Sequence, residues 1–178
     1  MGGSRRGRYP RKTKGTKLLH NSVVVSTSLE NTATETTFDN ASYTLSGGKL
    51  RVGDLIEIDT LVWVEHGDGG GTLTLQLYVG TQVIGTIAAK AVATGDLAYI
   101  HALITVDAIG AGGYLSGYGF EGLTGGGLFH GTFKQDSTAE NLSGALAIKL
   151  TGKWSAAHAD DECECRFFSV KLTPVSGI

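Results

Sequence analysis

The chain is poor in the residues that most often carry chemistry or crosslinks. Its 178 residues include two cysteines, two prolines and one methionine. Two cysteines cannot build the disulfide framework of a small secreted domain. Cys163 and Cys165 stand two apart in the run ECEC. On a strand that spacing puts both thiols on one face about 6.6–6.8 Å apart, a poor geometry for a disulfide. Both are expected to be reduced, in keeping with assembly inside a cell. No window reaches the roughly 18 apolar residues of a membrane span. The basic N-terminus has no apolar stretch after it and so does not read as a secretory signal. Arg6 stands where a myristoylation motif wants Ser or Thr. Without a secretory route, the sequons Asn40-Ala41-Ser42 and Asn141-Leu142-Ser143 mean little.

What the chain does have is glycine, 27 residues of it, spread among short alternating runs. That composition argues for many short strands joined by tight turns. The clearest stretch is Asp54 to Gly80. Ile56, Ile58, Val62 and Val64 fall on one parity of its first half, with Glu57, Asp59 and Glu65 on the other. In the second half Leu73, Leu75, Leu77 and Val79 alternate with Thr72, Thr74, Gln76 and Tyr78. A period of two marks half-buried antiparallel strands. With Gly67-Asp68-Gly69-Gly70-Gly71 between them, the two halves are expected to form a hairpin.

Further strands are expected over Asn21–Leu29 and Thr32–Leu45, the latter with a turn at Asp39-Asn40. Others are expected over Gln82–Ala88, Leu97–Val106, parts of the glycine-dense 110–131 segment, the Leu146–Trp154 region and Glu162–Leu172. The run Arg166-Phe167-Phe168 is expected to touch both layers. The fold class is therefore all-β: an antiparallel two-sheet β-sandwich of jelly-roll type with about 8–10 strands. No linker-like stretch follows residue 20, so a single domain is expected over residues 20–178 with an extended basic arm over residues 1–19.

Charge is divided sharply. Arg5, Arg6, Arg8, Arg11, Lys12, Lys14 and Lys17 crowd the first 17 residues, which hold no acid. The remainder holds 8 basic against 17 acidic side chains. Such an arm cannot bury a core and is expected to order on a negatively charged partner, either nucleic acid or an acidic protein surface.

Tests for chemistry return little. His20, His66, His101, His130 and His158 fit no metal motif and read as surface residues. His158 with Cys163 and Cys165 lacks the fourth ligand of a structural zinc site. Asp160, Asp161, Glu162 and Glu164, with Asp136 and Glu140, read as a solvated acidic group rather than a calcium site. Glu57 and Asp59 share a strand face in the manner of an acid–base pair, but such pairs are common on solvated sheets. The Gly117, Gly119, Gly122 spacing lacks the strand-then-helix context of a nucleotide loop. No nucleophile elbow, Walker lysine or triad is present. The chain is expected to be no enzyme and to need no cofactor. Leu61, Trp63 and Tyr78 are expected on the outward side with Glu57 and Asp59, where exposed aromatics suggest a covered face and an interface with an identical subunit.

The order from Ser26 to Asp59, STSLENTATETTFDNASYTLSGGKLRVGDLIEID, resembles the opening of small β-sandwich virion proteins of tailed bacteriophages. TLTLQLYVG, TQVIGT and the ending RFFSVKLTPV are similar to that class as well. The resemblance covers roughly residues 20–175. It implies a jelly-roll or tumour-necrosis-factor-like sandwich, commonly trimeric, serving as a head decoration protein, head fibre or tail-fibre domain. The expectation that follows is a cement protein on the virion capsid surface. It would be assembled in the host cytoplasm, trimerise through its sandwich and bind the major capsid protein or other virion proteins through its arm, without contacting a membrane. A coat protein whose arm neutralises packaged nucleic acid, and a receptor- or glycan-binding fibre domain using Trp63 and Tyr78, are the alternatives.

Overall fold

The computed structural model describes residues 15–66, 71–124 and 131–175, without the side chains of 89, 90 and 131–139. Every regular element among them is a strand: β1 (Lys17–Ser22), β2 (Leu29–Glu30), β3 (Thr36–Leu45), β4 (Leu55–Glu65), β5 (Thr72–Val79), β6 (Gln82–Ala91), β7 (Leu97–Ala108), β8 (Gly113–Leu123), β9 (Gly131–Glu140), β10 (Leu146–Trp154) and β11 (Glu162–Thr173). They form two antiparallel sheets. Sheet A runs β1-β11-β4-β7-β8-β9, with β2 also paired to β11, and sheet B runs β3-β10-β5-β6.

Alternation sorts the side chains as expected. Ile56, Ile58, Val62 and Val64 of β4 are buried, as are Leu73, Leu75, Leu77 and Val79 of β5. So are Ala98, Ile100, Ala102, Ile104 and Val106 of β7, and Leu146, Ile148, Leu150 and Trp154 of β10. All belong to one core cluster between the sheets. Each fully buried Val, Leu or Ile contributes about 1.5–3 kcal/mol. Thr60 interrupts the apolar row of β4 without an orphaned hydroxyl, because Oγ1 donates to Ile100 O (3.3 Å) and accepts from Ile100 N (3.2 Å).

The Asp54–Gly80 hairpin is not formed. β4 lies between β11 and β7 in sheet A, whereas β5 lies between β10 and β6 in sheet B. Two apolar-faced strands can pair side by side or face each other across a core, and alternation does not distinguish these. Here they lie in different sheets and bury their apolar faces in one core. Most of the glycine run that joins them, residues 67–70, lies outside the described residues.

Two further expectations are corrected by bulges and edges. Thr36–Leu45 is one strand with no turn at Asp39-Asn40. Its pairing with β10 slips between Ser42↔Lys149 and Thr37↔Thr151, so Phe38 and Ala41 both point inward. The displaced polar pair is used: Asp39 accepts from Thr27 N and Oγ1, and Asn40 Nδ2 donates to Cys165 O and Val24 O. Asn21–Leu29 is not one strand. It divides into the end of β1, an irregular stretch in which Val23 and Val24 are about two-thirds exposed, and β2. That division brings the count to eleven strands among the described residues, above the eight to ten expected.

β11 carries a bulge between Cys165 and Phe167. Cys163 and Cys165 point inward before it, and Phe168, Val170 and Leu172 point inward after it. Arg166 is exposed and Phe168 is fully buried, so the run turns side chains to the two faces of sheet A. Both thiols are free and buried. Burial pushes the Cys163 thiol far up and the Cys165 thiol up to about 12.

Candidate functional site

The two outer faces differ in chemistry. Sheet B presents Thr72, Thr74, Gln76 and Tyr78 of β5 beside Lys149 and Lys153 of β10. Sheet A presents rows that cross four strands: Phe167–Leu61–Tyr99–Gly122, Ser169–Asp59–His101–Phe120 and Lys171–Glu57–Leu103–Tyr118. Tyr118 is 56% and Phe120 50% exposed. Sheet A therefore carries an aromatic outer face with a charged group set into it.

That group is held by register. β4 and β7 place His101 directly opposite Asp59, and β11 places Lys171 opposite Glu57. His101 Nδ1 lies 2.6 Å from Asp59 Oδ1. Lys171 Nζ donates to Glu57 Oε1 at 2.8 Å and to Asp59 Oδ2 at 3.3 Å. Tyr99 OH donates to Asp59 Oδ1 at 3.3 Å. The His101 ring is stacked between Tyr99 (6.4 Å) and Phe120 (6.3 Å), which fixes its plane. Burial alone raises the Asp59 carboxyl, but the hydrogen bonds from His101 and Lys171 outweigh it and hold the group below the usual aspartate range. The bond to Glu57 raises the Lys171 ammonium against its own desolvation, and burial with the Asp59 charge raises the Tyr99 phenol.

Leu61 and Trp63 sit on this face, but Tyr78 does not. It belongs to the outer side of sheet B, so the expected single patch of Leu61, Trp63 and Tyr78 is divided between opposite sides of the sandwich. Each aromatic is capped by a cation, with Arg166 4.4 Å over the Trp63 ring and Lys149 4.9 Å from the Tyr78 centroid. Of the arm residues, Arg5, Arg6, Arg8, Arg11, Lys12 and Lys14 lie outside the described residues. Lys17 is exposed at the start of β1, opposite Leu172.

The acidic residues near the C-terminus do not converge. Asp161 is buried with Oδ1 2.7 Å from His66 Nδ1, and the His66 ring stacks on Trp154 at 5.8 Å. This pair ties the turn before β11 to the end of β4. Glu162 and Glu164 face outward and share the Ser28 hydroxyl. Glu140 accepts from Thr81 N and Oγ1 and so secures the β5–β6 turn, while the Asp136 side chain is not among those described. His20 packs between Tyr43 and Phe168, His158 sits in the turn before β11, and His130 lies outside the described residues. The residues that sequence reasoning missed are His101 and Lys171. Both fall on outward parities, but only the pairing of β4 with β7 and β11 shows that they meet Asp59 and Glu57.

Among the described residues no helix is long and apolar enough to cross a membrane. No protein-family model, curated protein or solved structure matches the chain.

Proposed function

We propose that this chain is a structural protein of a bacteriophage particle. In this reading it is a capsid decoration protein that trimerises through the outer face of sheet A and grips the shell with its basic arm. The observation that carries this reading is the sidedness of the sandwich. An aromatic face with Tyr118 and Phe120 half exposed stands opposite a face of threonine, glutamine and lysine on which Tyr78 is capped by Lys149. Solvated faces rarely keep such aromatic area in one patch. The strand order also supports a jelly-roll wind. β1-β11-β4-β7 opposes β3-β10-β5-β6, and the β8 and β9 strands extend one sheet. The mechanism is additive: a weak electrostatic grip by each arm is multiplied by the linkage of subunits.

Two measurements test this reading. Light scattering after size exclusion is expected to give a trimer that Tyr118→Ser with Phe120→Ser reduces to monomer, and a wild-type monomer at tens of micromolar would overturn the assembly. Removing residues 1–14 is expected to leave the trimer intact and abolish binding to capsids. Salt-sensitive retention on DNA that is lost with the arm, without capsid binding, would instead favour a coat protein that neutralises packaged nucleic acid.

A further inference from the structure

We propose that the outer face of sheet A contains a divalent transition-metal site formed by Glu57, Asp59 and His101, with Lys171 as the internal cation that fills it when metal is absent. This inference is independent of the assembly reading, since its ligands all come from one chain. One donor atom from each of the three side chains lies within 4.8 Å of the others. Ligands about 2.1 Å from a tetrahedral ion are roughly 3.4 Å apart, a spacing that small rotations of the two carboxylates reach.

A second observation concerns the residue beside Asp59 on β11. Ser169 stands on the outward parity of β11 directly opposite Asp59, in the row that continues to His101. It is 1% exposed, and its Oγ has no hydrogen-bond partner among the described residues. A buried hydroxyl left without a partner is destabilising. Water on the Asp59 side of a three-ligand metal centre would supply that partner.

The donor set selects the class of ion. One imidazole nitrogen with two carboxylate oxygens suits zinc and its first-row neighbours. Calcium and magnesium take oxygen ligands and gain little from the imidazole. His101 would bind through Nδ1, the nitrogen that faces Asp59, with its proton on Nε2. The flanking Tyr99 and Phe120 rings hold the imidazole plane, and Tyr99 OH holds Asp59, the orienting role of outer partners at a metal site. Lys171 supplies one positive charge against two carboxylates. Its side chain is 35% exposed in the single chain, so the ammonium can give up the two carboxylates when a doubly charged ion enters. Lysine and metal therefore compete for the same oxygens.

The competition gives the test. Tag-free full-length protein, stripped with chelator, is titrated with Zn²⁺ by calorimetry and with Co²⁺ by visible absorption, and its oligomeric state is followed in parallel. One zinc per chain is expected. Lys171→Met should tighten binding by at least about tenfold, the scale on which outer partners tune metal affinity, and His101→Ala and Glu57→Gln should abolish it. The Co²⁺ spectrum of the wild type is expected to show tetrahedral coordination, a readout that does not depend on any variant folding. Absence of zinc uptake by both wild type and folded Lys171→Met overturns the proposal. Uptake that survives His101→Ala, or Ca²⁺ binding as tight as Zn²⁺, overturns it equally.

Discussion

Asp59 and His101 occupy the same row of neighbouring strands, with Oδ1 2.6 Å from Nδ1, although 42 residues separate them in the chain. Lys171 reaches the same carboxylate from the other side of β4. The charged group on the aromatic face is thus a product of strand pairing, and its behaviour with pH follows from its geometry.

The Asp59 carboxyl is held below its ordinary value of 3.8, because the bonds from His101 and Lys171 exceed the opposing effect of burial. A depressed carboxylate stabilises the fold above the unfolded value, and that stabilisation is lost as pH falls through the folded one. Asp59→Asn is expected to cost about 1–2 kcal/mol at neutral pH and progressively less below 3.8. Lys171, raised above 10.5 chiefly by Glu57, acts in the opposite window. Its stabilisation is complete below 10.5 and lost as pH climbs through the raised value. Denaturant unfolding of wild type, Asp59→Asn and Lys171→Met across pH measures both, and differences that do not change with pH would refute the ionic account.

Cys163 and Cys165 are fully buried, and burial raises both thiols. The thiolate is the reactive form. Neither residue is expected to react with a thiol reagent at pH 8 in the folded protein, and both should react in denaturant. Fast labelling of either thiol under native conditions would mean that β11 opens readily.

Gly80 and Gly95 both have positive φ, +64° and +89°. Alanine at Gly95 meets nothing within 4 Å, whereas at Gly80 its Cβ would fall 2.3 Å from the Glu140 carboxyl carbon. The left-handed backbone costs about 1–2 kcal/mol at either position. Gly80→Ala is expected to lose more than Gly95→Ala, because it also dislodges the carboxylate that holds Thr81. Thermal unfolding of the two variants compares them directly.

Asp54 is 1% exposed and accepts from Arg51 N at 2.9 Å and Val175 N at 3.0 Å. Asp54→Ala leaves two backbone donors without their acceptor, each worth about 1–3 kcal/mol if it stays buried. Destabilisation of a few kcal/mol is expected, with the amide of Val175 exchanging faster than those of Val170 and Leu172. Equal acceleration at all three amides would argue against a local clamp.

The faces of the strands were legible in the sequence, because burial on one side imposes a period of two that Ile56 to Val64 and Leu73 to Val79 keep. Strand partners were not. The same alternation fits a hairpin and a pair facing across the core, and only the packing of all strands decides between them. Asp39 and Asn40 read as a turn because small polar residues favour turns, yet here they line a bulge and hold the segment around Thr27 and Cys165. Of the charged group, Glu57 and Asp59 stood out as neighbours on one strand. His101 and Lys171 did not, since nothing local links Lys171 to Glu57 across 114 residues.

The bulge at Arg166 has a consequence for the whole last strand. If Arg166 instead took its place in strict alternation, with no bulge to absorb it, everything downstream would turn over. Phe168, Val170 and Leu172 would swing out to water, and Ser169 and Lys171 would be driven into the hydrocarbon interior. Exposing those three apolar side chains forfeits about 1.5–3 kcal/mol apiece, before the burial of an ammonium is counted. The spare residue at the bulge thus decides which side of the barrier each later side chain inhabits, and deletion of Arg166 is expected to close the ladder with Phe168, Val170 and Leu172 still inside and the chain still folded.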